Sequence, residues 1–274
     1  MRVYKYMSMD AFKKSAVGGQ LFLKASRLYE FNDPFEGTGI ICGEPSIQFA
    51  KEWNEYFNLT ENGSNNNDET VKGLCRGHMI GSWHQAKIFD SWMRVVCFSD
   101  VGVSNKVNEL LMWSHYADFG RGVRLELELD EMQFHLKDVV YRIDRPKLEL
   151  EQVKSFSSSI DETLFSFINS CLLSKPLCWQ YEHEKRLVEK TDFHHFCYQT
   201  PADELKHESE QDLLLKITGE SLKEVVVGPK IMNVGKVQDE IKQVRENGFN
   251  AVSFKRAIFD QESYGYKITN LFNG

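Results

Sequence analysis

The chain has 274 residues, 42% of them hydrophobic and 27% charged, with a formal net charge of -7 and a pI near 5.7. That length buries a substantial core in one large domain or two small ones, and the ordinary composition excludes a fibrous or disordered chain. The acidic balance excludes an extensive nonspecific nucleic-acid surface, and no apolar run approaches the roughly 20 residues that span a bilayer.

Met1-Arg-Val-Tyr-Lys-Tyr has no apolar stretch of the kind a secretory signal needs. Cys42, Cys75, Cys97, Cys171, Cys178 and Cys197 include no C-x-x-C spacing. Buried free thiols in a reducing cytoplasm are therefore expected, with no membrane partner.

Val3 to Tyr6 reads as a short first strand, Met9 to Ser15 as a short helix stopped at Gly18-Gly19, and Leu21 to Leu23 as a second strand. Tyr29-Glu-Phe-Asn-Asp-Pro-Phe-Glu-Gly37 has the chemistry of an ordered loop. Asn32 and Asp33 form Asx turns, and Pro34 steers Asp33 away from helix. Such a loop is either a structural turn or a carrier of polar groups to a ligand. Ser46 to Phe57 predicts a helix with Ile47, Ala50, Trp53 and Phe57 inward, followed by a flexible loop from Glu61 to Asp68 and a helix from Met79 to Ser91. His78 and His84 are not at i,i+4 and make a poor metal pair.

Met93 to Ser99 predicts a buried strand, and Asn105 a cap for a helix through Asp118, with Val107, Leu110, Leu111 and Ser114 as its inward stripe. On that reading His115 and Tyr116 project at the helix C-terminus, where a cationic imidazole is favoured. His115 is then a hydrogen-bonded structural residue, or a functional one if it meets Glu182 or Glu184. Val123 to Asp130 alternates without a fault, so Val123, Leu125, Leu127 and Leu129 face a core.

Val139 to Tyr141 is a brief strand. Ser159-Ile-Asp-Glu162 matches a capping box, opening a helix with Ile160, Leu164, Phe167, Ile168, Cys171 and Leu172 buried and ending at Lys175-Pro176. Ala202 to Lys216 reads as an exposed acidic helix, Leu222 to Gly228 as a central strand, and Asn233 to Asn247 as a helix with Val237, Ile241 and Val244 inward. Ala251 to Phe254 and Tyr264 to Thr269 supply two last strands. Strands and helices that do not strictly alternate predict a single α+β domain over residues 1–274, its mixed or antiparallel sheet continuous or split.

The polar chemistry concentrates in Trp179-Gln-Tyr-Glu-His-Glu-Lys-Arg-Leu-Val188. As a strand, its period of two puts Glu182, Glu184 and Arg186 on one face, with neighbours roughly 7 Å apart. Unpaired buried charges cost several kcal/mol, so such a row belongs on a surface or in a polar cleft. As a helix, Glu182 and Arg186 form an ordinary i,i+4 pair. The Pro-containing turn before Trp179 favours the strand.

Tyr4-Lys5-Tyr6, Phe31-Asn-Asp-Pro-Phe-Glu36, Cys97-Phe-Ser99, Met112-Trp-Ser-His-Tyr-Ala117, Tyr181-Glu-x-Glu-x-Arg186 and Lys223-Glu-Val-Val-Val-Gly228 together resemble a widespread bacterial domain family of unknown function. The order of elements is similar, more distantly, to ADP-ribosyltransferases of the DNA-targeting toxin type. That resemblance implies a split NAD-binding sheet and a strand-borne catalytic glutamate matched by Glu184; a toxin, a phage-defence effector and a metabolic enzyme all stay open as its setting.

Three readings follow. In the first, NAD is the substrate and its nicotinamide glycosidic bond is cleaved through an oxocarbenium-like cation, by ADP-ribosyl transfer or hydrolysis. Glu184, Glu182 and His115 are then catalytic, and Tyr4, Tyr6, Asn32, Asp33, Tyr116 and Arg186 hold the nucleotide, Arg186 on a phosphate. No metal is assigned, and the acceptor is undefined. The first strand departs from the resemblance in lacking the usual His or Arg. In the second reading Asp33, Glu36, Glu182 and Glu184 hold Mg²⁺ in a nuclease or hydrolase with His115 as base. In the third the charged row is a salt-bridged structural strand of a noncatalytic sensor or partner-binding module.

Overall fold

A computed structural model describes residues 1–59, 67–84, 93–100, 106–156, 162–190 and 213–272. In chain order these carry β1 (Arg2–Met7), α1 (Met9–Ser15), β2 (Ala16–Val17), β3 (Gln20–Ala25), β4 (Ile40–Cys42), α2 (Ile47–Tyr56) and α3 (Asp68–His84). There follow β5 (Met93–Ser99), α4 (Lys106–Tyr116), β6 (Val123–Glu128), β7 (Lys137–Asp138), β8 (Val140–Arg142), β9 (Lys147–Glu149), α5 (Glu162–Leu172) and β10 (Ser174–Pro176). The last elements are β11 (Glu184–Lys190), β12 (Leu213–Thr218), β13 (Leu222–Val227), α6 (Val234–Glu246), β14 (Ser253–Phe259) and β15 (Tyr266–Asn270). The expected loop after Glu61, the second half of the Met79–Ser91 helix, the Asn105 cap, the Ser159 capping box, Cys197 and the start of the Ala202–Lys216 helix lie outside the described residues.

The protein is α+β. Its main sheet runs β15-β14-β13-β6-β1-β5-β11-β7, and only the β13–β14 pair, connected through α6, is parallel. One face carries Val3, Val96, Phe98, Leu125, Leu127, Val225 and Val227, packed with Phe12 of α1, Val237, Ile241 and Val244 of α6, and Leu21, Leu23 and Ile217 of the small β12-β3-β2 sheet. The other face has two coverings. Towards β6 and β13, Tyr4, Tyr6 and Val226 meet Met112, Trp113 and Ala117. Towards β11, Val95 and Val188 meet α2, α3 and α5 through Phe49, Trp53, Cys75, Leu164, Ile168 and Leu172. The candidate site occupies the seam between them.

Strand β1 pairs with β6 from Arg2 to Met7, but with β5 only at Tyr4↔Ser99. Beyond that bridge β5 turns to Ser26, which exchanges two 2.9 Å backbone hydrogen bonds with Val95. The sheet is thus open between β1 and β5. Lys5 reaches into the opening, its Nζ donating to the Cys97 carbonyl at 2.8 Å.

Five expectations are corrected. Gly18 and Gly19, at φ 57° and 70°, do not stop α1 but form the turn between β2 and β3, where a two-residue hairpin needs positive φ. Leu213 to Thr218 is not the end of an exposed helix but β12, paired along β3 from Ala25 to Gln20. Helix α4 buries Glu109, Met112 and Trp113 and leaves Leu111 and Ser114 outward, because Glu109 pairs with Arg124 of β6 at 2.7 Å. Residues 179–188 are not one strand: Leu177–Glu182 is a 3₁₀ helix and only Glu184 onward is β11. Helix α3 also starts earlier than expected, with Asn67 Oδ1 accepting from the Thr70 N–H at 2.8 Å. Among the described residues no helix is long and apolar enough to cross a membrane.

Gly248 ends α6 at φ +104°, and a Cβ there would stand 2.7 Å from the backbone of Gly19. Gly248→Ala is expected to lower stability by about 1–3 kcal/mol, since both the strained φ and the collision must be absorbed. Urea denaturation checks this; an unchanged midpoint would mean that the hairpin yields freely.

Candidate functional site

Pro176 starts the 3₁₀ turn that carries Glu182, and His183 ends it in the left-handed region at φ 43°, ψ 54°. A non-glycine residue there costs on the order of 1–3 kcal/mol, so the surroundings must hold it. They do so with three bonds. Ser99 Oγ donates to the Glu182 carbonyl at 2.6 Å, the Asp100 N–H donates to the His183 carbonyl at 2.9 Å, and the Glu184 N–H donates to Tyr141 Oη at 2.7 Å. The kink lets both carboxylates reach one lysine instead of standing apart along a strand. Lys175 Nζ lies 2.6 Å from Glu182 Oε2 and 2.8 Å from Glu184 Oε2.

Arg186, two residues along β11 on the same face as Glu184, completes the cluster. Its Nε and Nη2 donate to the two Glu184 oxygens at 2.7 and 3.2 Å, and its Nη1 donates to Glu36 Oε1 at 2.6 Å and to the Leu172 carbonyl at the end of α5. Phe31 covers the guanidinium at 5.6 Å, and Trp179 covers Lys175 at 5.4 Å. The row is therefore buried, not on a surface, because Lys175 arrives from elsewhere to pair with both of its acids. Arg186 is fully buried, which corrects the expectation that it holds a phosphate.

The cluster opens into a cavity of about 70 Å³ where β1 and β5 part. Tyr4, Tyr6, Phe31, Phe98 and Met112 give it apolar walls. Lys5, Lys175, Glu182, Glu184 and Tyr116 give it a polar end. Tyr4, Ser99 and Glu184 are register neighbours across β1, β5 and β11. Tyr116 donates to Glu182 Oε1 and accepts a long 3.5 Å bond from Asn32 Nδ2. Behind the tyrosines, Arg124 stacks on Tyr4 at 5.2 Å and pairs with Glu109, tying the aromatic wall to α4.

Burial alone would push the Glu184 carboxyl up, but the Arg186 and Lys175 cations outweigh it and hold Glu184 well below the usual carboxylate range. Glu182 goes the other way: burial raises it, the Glu184 charge adds to that, and Lys175 offsets only part. Burial also raises Glu36 against the pull of Arg186, and lowers the amine of Lys5. The Cys97 thiol, beside Glu184, is pushed well up by burial and by that carboxylate. Two neighbouring acids with opposite displacements are suited to different tasks, one permanently charged and one able to exchange a proton.

Of the residues expected at the site, Glu182, Glu184, Tyr4, Tyr6 and Tyr116 line the cavity, and Asn32 reaches it through Tyr116. Asp33 serves the loop, its Oδ1 accepting from the Phe35 N–H at 3.0 Å. His115 is exposed, outside the cavity lining, and its Nδ1 shares a 2.6 Å hydrogen bond with Tyr181 Oη instead of meeting either acid. Lys5 and Lys175 were not anticipated. The signal for Lys175 was charge arithmetic, since two acids facing one arginine require a further cation. Nothing local marked Lys5, whose neighbours in the chain are apolar or aromatic.

Among the described residues no three His, Cys, Asp or Glu side chains are grouped to hold a metal ion. The oxygens of Glu182 and Glu184 are directed at Lys175, Arg186 and Tyr116, so a divalent cation would have to displace an ammonium. Larger depressions of about 480 and 540 Å³ lie beside α5 and at the β14–β15 hairpin, lined mostly by partly exposed side chains and without a buried charge cluster among the described residues. Comparison of the chain with protein-family models, with curated proteins and with solved structures gave no match in any of the three.

Proposed function

We propose that the protein acts on NAD, cleaving the bond between nicotinamide and ribose as an ADP-ribosyltransferase or an NAD glycohydrolase does. The observation that carries this reading is the opening of the sheet after Tyr4↔Ser99, with an ionised glutamate at its floor and aromatic rings on its walls. As the C–N bond breaks, nicotinamide leaves with the electron pair and positive charge grows on the ribose. Glu184, fixed in place by Arg186 and Lys175, stabilises that charge without reorganising. Tyr4, Tyr6 and Phe31 supply stacking surface for the nicotinamide ring. Lys5 supplies a first-strand cation for an anionic group of the nucleotide.

At about 70 Å³ the cavity is far below the roughly 300–1,000 Å³ of pockets that enclose a drug-sized ligand. It takes a ring-sized fragment, and the rest of the nucleotide lies across the mouth. The test is nicotinamide release from NAD by the purified protein, with and without cell extract as a source of acceptors. Lys5→Met is expected to raise KM about 10- to 100-fold with kcat little changed, as loss of one charge-assisted contact does. An unchanged KM removes Lys5 from the binding site, and absence of release from the wild-type protein removes the reading itself.

A second reading, a noncatalytic module with the cluster as structural support, is favoured by one observation. Both acids are already paired with buried cations. It predicts no release under any condition and loss of stability, not of turnover, in variants of the cluster.

A further inference from the structure

Glu182, Lys175, Glu184, Arg186 and Glu36 form a chain of alternating charge with links of 2.6, 2.8, 2.7 and 2.6 Å. Their exposures are 3, 4, 5, 0 and 3%, so bulk water screens them little. Three carboxylates face two cations. Fully ionised, the chain would carry one uncompensated negative charge in the interior, a state that proteins relieve by binding a proton.

Among the described residues, the elements packed around Glu182 offer it no ion pair beyond Lys175. Tyr116 of α4, Tyr181 of the 3₁₀ turn and Tyr141 of β8 are all phenols whose pKa burial raises, and so are neutral. Cys97 of β5 is a protonated thiol. Lys5 of β1 is a further cation at the cavity: its amine donates to the Cys97 carbonyl, forms no ion pair within 4 Å among the described residues, and acts through space on Glu184, not on Glu182. Burial lowers that amine as well.

We propose that this five-residue chain binds one proton at neutral pH, that Glu182 carries it, and that Glu36 at the far end sets its occupancy. The geometry selects Glu182 over Glu36. Among the described residues Glu36 Oε2 is buried with no hydrogen-bond partner, so a proton there would meet no acceptor, while Glu36 Oε1 already faces the Arg186 donor. A proton on Glu182 Oε1 meets Tyr116 Oη. The bond between them reverses, with Glu182 donating, and the Tyr116 hydroxyl is released to donate into the cavity it lines. Glu36 never touches the cavity and acts through Arg186 and Glu184, which makes it a positioning residue. The inference deepens the proposed function, giving the site a neutral acid beside a charged one, but its test requires no nucleotide and stands apart from nicotinamide release.

The test is a ¹³C NMR titration of protein labelled at the glutamate carboxyls, with the Glu182 resonance identified by its loss in Glu182→Gln. In the wild-type protein Glu182 is expected to remain protonated at pH 7. In Glu36→Gln the chain has two acids for two cations, and the Glu182 midpoint is expected to fall by about one pH unit or more. Glu36→Asp, which restores the charge, keeps the midpoint near that of the wild-type protein. Because Glu36 ionises while Glu182 still holds its proton, Glu182→Gln is expected to leave the Glu36 midpoint near its wild-type value, a second measurement if Glu36→Gln does not fold; a fall there would place the proton on Glu36 and overturn the proposal. Ionisation of wild-type Glu182 in the ordinary carboxylate range, or a Glu182 midpoint indifferent to Glu36→Gln, also overturns the proposal.

Discussion

Replacing Arg186 with Met is expected to destabilise the protein by about 3–5 kcal/mol, the usual result of removing one partner from a buried ion network. Methionine matches much of the volume and none of the donors. Glu184 loses a bidentate partner, Glu36 loses its only ion pair among the described residues, and the Leu172 carbonyl at the end of α5 loses an N–H. Arg186→Lys recovers only part, because one ammonium cannot bond Glu184 twice while also reaching Glu36 and the carbonyl.

The pH dependence gives this result a second signature. Burial pushes Glu184 up, but Arg186 and Lys175 win and depress it. The stability it contributes is therefore present above the unfolded-state pKa, near ~4.3, and is lost as pH falls through the lower folded-state value. In Arg186→Met the depression weakens, so the deficit should be greatest above about pH 5 and narrow towards acid, where protonated carboxyls no longer need the guanidinium. Denaturation midpoints at neutral and acid pH measure both effects. A deficit below 1 kcal/mol at pH 7, or one that grows on acidification, would contradict the described network.

Glu184→Gln is expected to lower nicotinamide release about 10²- to 10³-fold, the range seen when one electrostatic contact to the transition state is removed. Glutamine keeps the length and one acceptor oxygen, so the side chain still occupies its place beside Arg186. It loses the charge that opposes the growing ribose cation, and its amide N–H₂ turns against either Arg186 or Lys175. The loss should fall on kcat and kcat/KM together, with KM nearly constant. The denaturation curve of the same preparation separates lost chemistry from lost folding. Full activity in a folded Glu184→Gln protein would remove this glutamate from the mechanism.

Much of the scaffold was legible because periodicity is local. Val123, Leu125, Leu127 and Leu129 are buried as their alternation required, and α5 and α6 bury the stripes that helical spacing marks, with Asn233 capping α6. The face of α4 was not legible. Its leucines looked inward by hydropathy, but the face was decided by Glu109 seeking Arg124 on β6, an arginine that alternation placed opposite the core and the structure buries. Leu213 to Thr218 followed an acidic run and read as its continuation, whereas the free edge of β3 made it a strand.

By itself, the chain determined that the protein would be α+β, that β5 and β6 would be buried strands, and that two acids and an arginine would be crowded into five residues. Only the tertiary structure decided that this crowd would lie inside, at the opening between β1 and β5. The reason is electrostatic. The cation that balances the row is Lys175, on a separate short strand, and the second acid on Arg186 is Glu36, 150 residues before it. Attraction in a low-dielectric interior depends on distance through space, which spacing along a polypeptide does not encode.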